Sequence, residues 1–206
     1  MESNNEQRSD EWINERLGKF TASETHKLMG IKGLGETGKT YAFDKAIETL
    51  FGETEESFLS YDMQRGVELE PLAFKKFKEL KELKFLNVEN CGFFHECENT
   101  GSSPDGLVSD NAVLEIKCPK ANTFFKLVLS DEIDKKYFYQ MQKQMKSTNR
   151  EKAYFFNYIV LDGVEYWHEI EVTRCQKTID LIGEREKEAI ALKAKYIEQI
   201  KSNQQF

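Results

Sequence analysis

Between Asn99 and Pro119 the sequence changes period, and that change constrains the fold more than any other feature. Upstream, apolar residues recur at helical spacing, as Phe43, Ile47, Leu50 and Phe51 do. Asn99–Gly106 is instead dense in turn-forming residues. Two short runs at strand period follow, Leu107–Ser109 and Ala112–Lys117, about a turn at Asp110-Asn111, and together they read as a hairpin. Phe85–Glu89 and Cys91–Glu96 read as strands ahead of it. Tyr154–Leu161 and Val164–Val172 read as a later pair about Asp162-Gly163, a favoured hairpin turn. Helices are predicted over Asp10–Gly18, from Thr21-Ala22-Ser23-Glu24 to about Gly30, and over Tyr41–Phe51. Gly30–Gly38 between them reads as a glycine-rich loop. Further helices are expected over Tyr61–Lys81 (kinked or restarted at Pro71), Thr123–Leu129 and Lys135–Ser147, with one long helix from Arg174 onward. Thr21 or Ser23 is the expected cap of the second helix. The order predicts an α/β (α+β) chain with a mixed central sheet flanked by helices.

At 206 residues, with no repeat and no Pro-rich linker, the chain reads as one domain over residues 1–206. No run of 18 apolar residues is present, so no membrane span is expected. The polar start, Met1–Asp10, matches neither a signal nor a transit peptide. Cys91, Cys97, Cys118 and Cys175 fit no C-x-x-C spacing and are expected to be reduced thiols.

The residues that carry chemistry are Ser103-Pro104-Asp105-Gly106 and Glu115-Ile116-Lys117. Alternation along a strand puts Glu115 and Lys117 on one face and turns Ile116 to the other. A tight hairpin folds Asp105 back toward Glu115, so two carboxylates converge beside one ammonium. Two carboxylates suit one or two Mg²⁺ ions, with Mn²⁺ as an alternative, through hard oxygen ligands. Such a cation acidifies water and neutralises a phosphodiester. Lys117 can position the water and stabilise the transition state, and the Ile116 carbonyl lies between the two side chains as a further ligand. The bland alternative is a surface ion pair between Glu115 and Lys117.

Pro104-Asp105 followed by Glu115-x-Lys117 resembles the PD-(D/E)XK nuclease signature. The wider pattern resembles the lambda-exonuclease or YqaJ-type viral recombinase family within it. The matching blocks run in order from about residue 10 to 160: Arg16-Leu17-Gly18, Thr21-Ala22-Ser23-Glu24, Gly66 with Glu70, Ser102 to Leu107, Glu115 to Pro119, and Tyr137 to Gln142 with Gln140 and Gln142. The resemblance implies a restriction-endonuclease-like core. It makes Asp105, Glu115 and the Ile116 carbonyl metal ligands, with Glu70 as a further acidic partner. Lys117 would serve the water, and Gln140 would sit beside the catalytic face. Without the family, Glu70 reads as a solvated helix glutamate and Gln140 as a polar helix residue. The resemblance also assigns Arg16, Ser23 and Ser103 to the 5′-terminal phosphate of DNA; on sequence alone, Arg16 equally suits a salt bridge to Glu15 or Glu24. One departure stands out: the region Lys120-Ala121-Asn122-Thr123 lacks the arginine that the family places there, leaving Lys120 or Lys126 as substitutes.

The implied activity is a 5′-to-3′ exonuclease on linear double-stranded DNA that leaves 3′ overhangs for phage-type recombination. The implied partners are DNA ends, a homotrimeric ring and a single-strand-annealing protein. The implied location is the cytoplasm of a bacterial host, as a phage or prophage protein. The rivals are a restriction- or repair-type endonuclease on the same core, a catalytically silent DNA-end-binding protein, and an iron–sulfur nuclease. The net charge of −7 argues against coating nucleic acid by bulk charge. That charge is unevenly spread: residues 16–43 carry +3 and residues 111–150 carry +4, whereas residues 44–70 carry −6. The two basic segments hold most of the matched motifs, so they are the expected DNA path.

Overall fold

A computed structural model describes residues 2–3, 5, 7–52 and 61–203. The turn-rich stretch resolves into two mixed sheets. The larger has the order β2-β5-β6-β7-β8, formed by β2 (Val88–Glu89), β5 (Gly106–Val108), β6 (Ala112–Lys117), β7 (Lys152–Leu161) and β8 (Val164–Thr173). Its single parallel pair is β6 with β7, which places Glu115 beside Phe155 and Lys117 beside Asn157. A parallel neighbour needs a crossover. Here two helices supply it, α4 (Ala121–Ser130) and α5 (Lys135–Thr148). The smaller sheet, β1-β4-β3, joins β1 (Phe20–Thr21), β4 (Thr100–Ser102) and β3 (Phe94–Cys97). The turn-rich reading of Asn99–Gly106 missed β4. Small residues there fit because the Phe93 ring lies flat against the strand: a Cβ on Gly101 would stand 2.4 Å from it.

The expected alternation along β6 is seen. Leu114 and Ile116 join Ala73 and Phe77 of α3 (Tyr61–Glu82), with Phe156 and Tyr158, in one core. Val113 faces Met141 and Met145 of α5, with Phe155 and Val172, in another. Burying a side chain such as Phe77 or Phe156 contributes about 2–3 kcal/mol. Helix α3 continues through Pro71 without restarting. A third cluster lies beyond the sheets, where α2 (Gly35–Phe51) packs on α6 (Gln176–Asn203) through Tyr41, Ala42 and Ala189. Helix α2 starts earlier than its apolar stripe suggests, absorbing Gly35 to Gly38.

Two other boundaries differ from expectation. The segment Ala22–Leu28 is a 3₁₀ helix with Thr21 at its cap position, and Thr21 makes no side-chain capping bond. The first helix, α1 (Asp10–Arg16), is capped by Ser9, whose Oγ accepts from the Trp12 amide. The Asp162-Gly163 turn has positive φ at both residues, as a two-residue hairpin requires. All four cysteines are free. Among the described residues no helix is long and apolar enough to cross a membrane.

Candidate active site

The hairpin β5–β6 brings Asp105 to Glu115. Gly106 pairs with Leu114, and the Asp105 amide donates to the Leu114 carbonyl at 2.9 Å. Asp105 Oδ2 in turn accepts from the Ile116 amide at 2.6 Å. The aspartate is therefore tied to the strand that carries the second carboxylate. Burial, then the Glu115 and Glu70 charges, push the Asp105 carboxyl well above its ordinary range, although Lys117 and the Ile116 amide oppose them.

Glu115 is 1% exposed and fully engaged. Its Oε1 accepts from Gln140 Nε2 at 2.6 Å and pairs with the Lys117 ammonium; its Oε2 accepts from Gln144 Nε2 at 2.5 Å. Burial works against the Lys117 ammonium, but Glu115 and Asp105 outweigh it and hold its pKa above the usual range. The ring of Tyr137 lies 5.4 Å from Nζ. The two carboxylates thus favour the ammonium form of Lys117.

Glu70 comes from α3 and lines the same cleft as Asp105 and Ile116, a space of about 630 Å³. Its carboxylate pairs with Arg8 of the N-terminal segment, whose neighbour Gln7 donates to the Pro104 carbonyl at 2.7 Å. Arg65, also on α3, donates to the carbonyls of Cys118 and Pro119 at 3.0 and 3.1 Å, bracing the chain just past Lys117.

Among the described residues no three Asp, Glu, His or Cys side chains form a group that could hold a metal ion. The donors present are two carboxylates, Asp105 and Glu115, with the Ile116 carbonyl beside them. Cys91 and Cys118 are pushed up to about 12, by burial first and then by nearby carboxylates, so they stay protonated. Two converging carboxylates, one of them pushed above its ordinary range by the other's charge, fit a hard divalent cation.

The residues expected at the 5′-phosphate are partly joined. Trp12 Nε1 donates to Ser103 Oγ at 2.9 Å, and the Arg16 guanidinium stacks 4.2 Å from the Trp12 ring centre. Burial lowers the Arg16 pKa, against the nearby Tyr41, Glu24 and Glu48. The alternative salt bridges are not made: Glu24 pairs with Lys27 and Glu15 approaches His95. Ser23 is half-buried on the 3₁₀ helix, and its hydroxyl bonds neither Arg16 nor Ser103. Lys120 and Lys126 are exposed at the start and on the outer side of α4.

The paired glutamines divide between site and scaffold. Gln140 serves Glu115, whereas Gln142 bonds the Thr173 carbonyl and the Cys175 amide and holds α6 in place. Gln144 was not singled out from the sequence. Its signal was available: it lies one helical turn from Gln140, on the same face. The bonds from Trp12 to Ser103 and from Arg65 to Cys118 and Pro119 carried no comparable signal, because those partners are distant in sequence.

The YqaJ-like viral recombinase domain matches residues 11–151, about two-thirds of the chain. The chain belongs to the YqaJ-like viral recombinase family. Within the wider structural neighbourhood of this YqaJ-like chain is an alkaline exonuclease, LHK-Exo, from Laribacter hongkongensis. The two share 29% identity over 95% of this chain and 97% of that one, with a TM-score of 0.84. The same exonuclease in complex with dAMP aligns equally well. A phage-related exonuclease from Haemophilus somnus 129PT shares the fold, at 20% identity over 90% of this chain and 96% of that one, with a TM-score of 0.70. No curated protein matches the chain.

Proposed function

We propose that this YqaJ-like chain is a Mg²⁺- or Mn²⁺-dependent exodeoxyribonuclease acting as a single nuclease domain. It digests linear double-stranded DNA from the 5′ end and leaves a 3′ single strand for recombination. The observation that carries this reading is the convergence of half-buried Asp105 and Lys117 on the buried Glu115 at the β5–β6 hairpin, beside a cleft lined by Glu70. Membership of the family and the likeness to LHK-Exo support it.

Asp105, Glu115 and the Ile116 carbonyl hold the cation. When bound, one or two such ions acidify water and offset charge on the phosphate. Lys117, whose ammonium form Glu115 and Asp105 favour, acts by charge and hydrogen bonding. It orients the attacking water and counters the negative charge that grows on phosphorus-bound oxygens. Gln140 and Gln144 keep Glu115 in one rotamer. Glu70 joins the acidic set once Arg8 releases it. Arg16, set by Trp12, and Ser103 grip the terminal phosphate, with Ser23 nearby and Lys120 or Lys126 in place of the family's arginine. A homotrimeric ring around DNA, a single-strand-annealing partner and a cytoplasmic site of action in a phage-bearing host complete the proposal.

The test is digestion of linear duplex labelled at either end, with 5′-phosphate or 5′-hydroxyl termini, against a covalently closed circle. Mononucleotide release from the 5′-labelled strand, dependent on Mg²⁺ and sparing the circle, is expected. Rapid cutting of the circle would make the protein an endonuclease. No hydrolysis with either metal would leave a DNA-end-binding protein.

A further inference from the structure

Glu115 has two oxygens, and α5 treats them differently. Oε1 is shared by Gln140, 6% exposed, and by Lys117, whose side chain is 30% exposed. Oε2 is bonded by Gln144 alone, whose residue is 0% exposed. The half-exposed Lys117 therefore marks Oε1 as the side of the carboxylate nearer solvent, and Oε2 is sealed in the interior.

The Gln144 amide is held in that role. Its other end, Oε1, is buried without a hydrogen-bond partner. Reversing the amide would aim a carbonyl at the Glu115 carboxylate, so Glu115 dictates the orientation even though it strands the carbonyl. The helix beneath cannot withdraw either. Gln142 is tied to Thr173 and Cys175, Lys143 pairs with Glu96 and Glu186, and the Met145 carbonyl accepts from Arg174 at 2.8 Å.

We propose that Gln144 is a metal-selectivity residue: by occupying Oε2 it restricts Glu115 to one oxygen for the cation, which favours small octahedral Mg²⁺ over Ca²⁺. The inference rests on the metal-dependent reading above. Mg²⁺ requires near-ideal six-fold geometry and accepts single carboxylate oxygens. Ca²⁺ takes six to eight ligands at longer distances and gains from bidentate carboxylates. A carboxylate with one oxygen committed to a rigid amide supplies the first ion's needs and not the second's.

The experiment is calorimetric titration of the full chain with MgCl₂ or CaCl₂ alone, for the native protein, Gln144→Met and Asp105→Asn. Asp105→Asn identifies the heat that belongs to this site. The native protein is expected to bind Mg²⁺ more tightly than Ca²⁺. Gln144→Met keeps the side chain's length but loses the donor. It should shift the ratio toward Ca²⁺ by about tenfold, the low end of what partners of metal ligands control. Gln140→Met, which removes one of the two donors on Oε1 and leaves Oε2 sealed, should leave the ratio in place. An unchanged ratio in Gln144→Met, or native preference for Ca²⁺, overturns the inference while leaving the metal-dependent reading intact. Absence of any Asp105-dependent binding overturns both. If Gln144→Met fails to fold, Gln144→Leu asks the same question, and the native preference decides independently of either variant.

Discussion

Asp105 is the residue whose chemistry the fold alters most. Burial and the carboxylates of Glu115 and Glu70 raise its folded pKa, so the native state favours its acid form. Stability from that protonation is present below the unfolded pKa of about 4 and is lost as pH rises through the folded value. Without metal, Asp105 therefore costs the protein stability as pH rises above the unfolded value toward the folded one. Asp105→Asn keeps an oxygen for the Ile116 amide and removes the charge. Its metal-free melting temperature should exceed that of the native protein at pH 8, with the difference closing as pH falls toward about 4. Added Mg²⁺ should raise the native melting temperature and leave the variant unmoved, and the variant should not hydrolyse DNA. A lower melting temperature at pH 8 would mean that Asp105 is a structural acceptor first. The three residues of the β6 signature were legible at this scale because strand alternation alone fixes their faces.

At the scale of elements, α5 decides the site's precision. It delivers Gln140 and Gln144 to Glu115 on one face, and on another it buries Lys143 against Glu96 of β3 and Glu186 of α6. Lys146 pairs with the same two glutamates at 2.7 and 2.6 Å. Taking one partner from a buried ion pair leaves a stranded charge, at a cost of about 3–5 kcal/mol. Glu186→Ala should lower the unfolding free energy by that order in urea denaturation. A loss under about 1 kcal/mol would mean that Glu96 alone satisfies Lys143. The sequence shows α5 as a helix through its period, and the structure adds the Asp134 cap, whose side chain accepts from the Lys136 amide. The sequence does not show the ionic cluster, because Lys143, Glu96 and Glu186 are joined only when α5 is laid across β3 and α6.

For the whole molecule, charge is the useful quantity. The net −7 leaves little general attraction for duplex DNA. The cations proposed above to grip the terminal phosphate are Arg16 beside Trp12, with Lys120 and Lys126 exposed on α4. Part of the acid in residues 44–70, Glu53, Glu55 and Glu56, lies outside the described residues. If about three phosphates are neutralised per chain, the log–log slope of duplex affinity against salt should be about −3. Fluorescence anisotropy of a blunt duplex across salt concentrations measures it. A slope near −10 would mean that many more of the basic residues in segments 16–43 and 111–150 contact the duplex.

The sequence by itself determined the local features: the period switch, the hairpin, the shared face of Glu115 and Lys117 and the opposite face of Ile116. Each follows from chain geometry over a dozen residues or fewer, where periodicity and turn chemistry act directly. Only the tertiary structure decided the rest. It converted a turn into β4 by supplying β1 and β3 as neighbours. It turned Glu70 to Arg8 and stacked Arg16 on Trp12 rather than pairing it with Glu15 or Glu24. It also sealed one oxygen of Glu115 with Gln144. Those outcomes depend on burial and on partners up to 91 positions apart, as Trp12 and Ser103 are, and no local pattern encodes which distant side chain arrives.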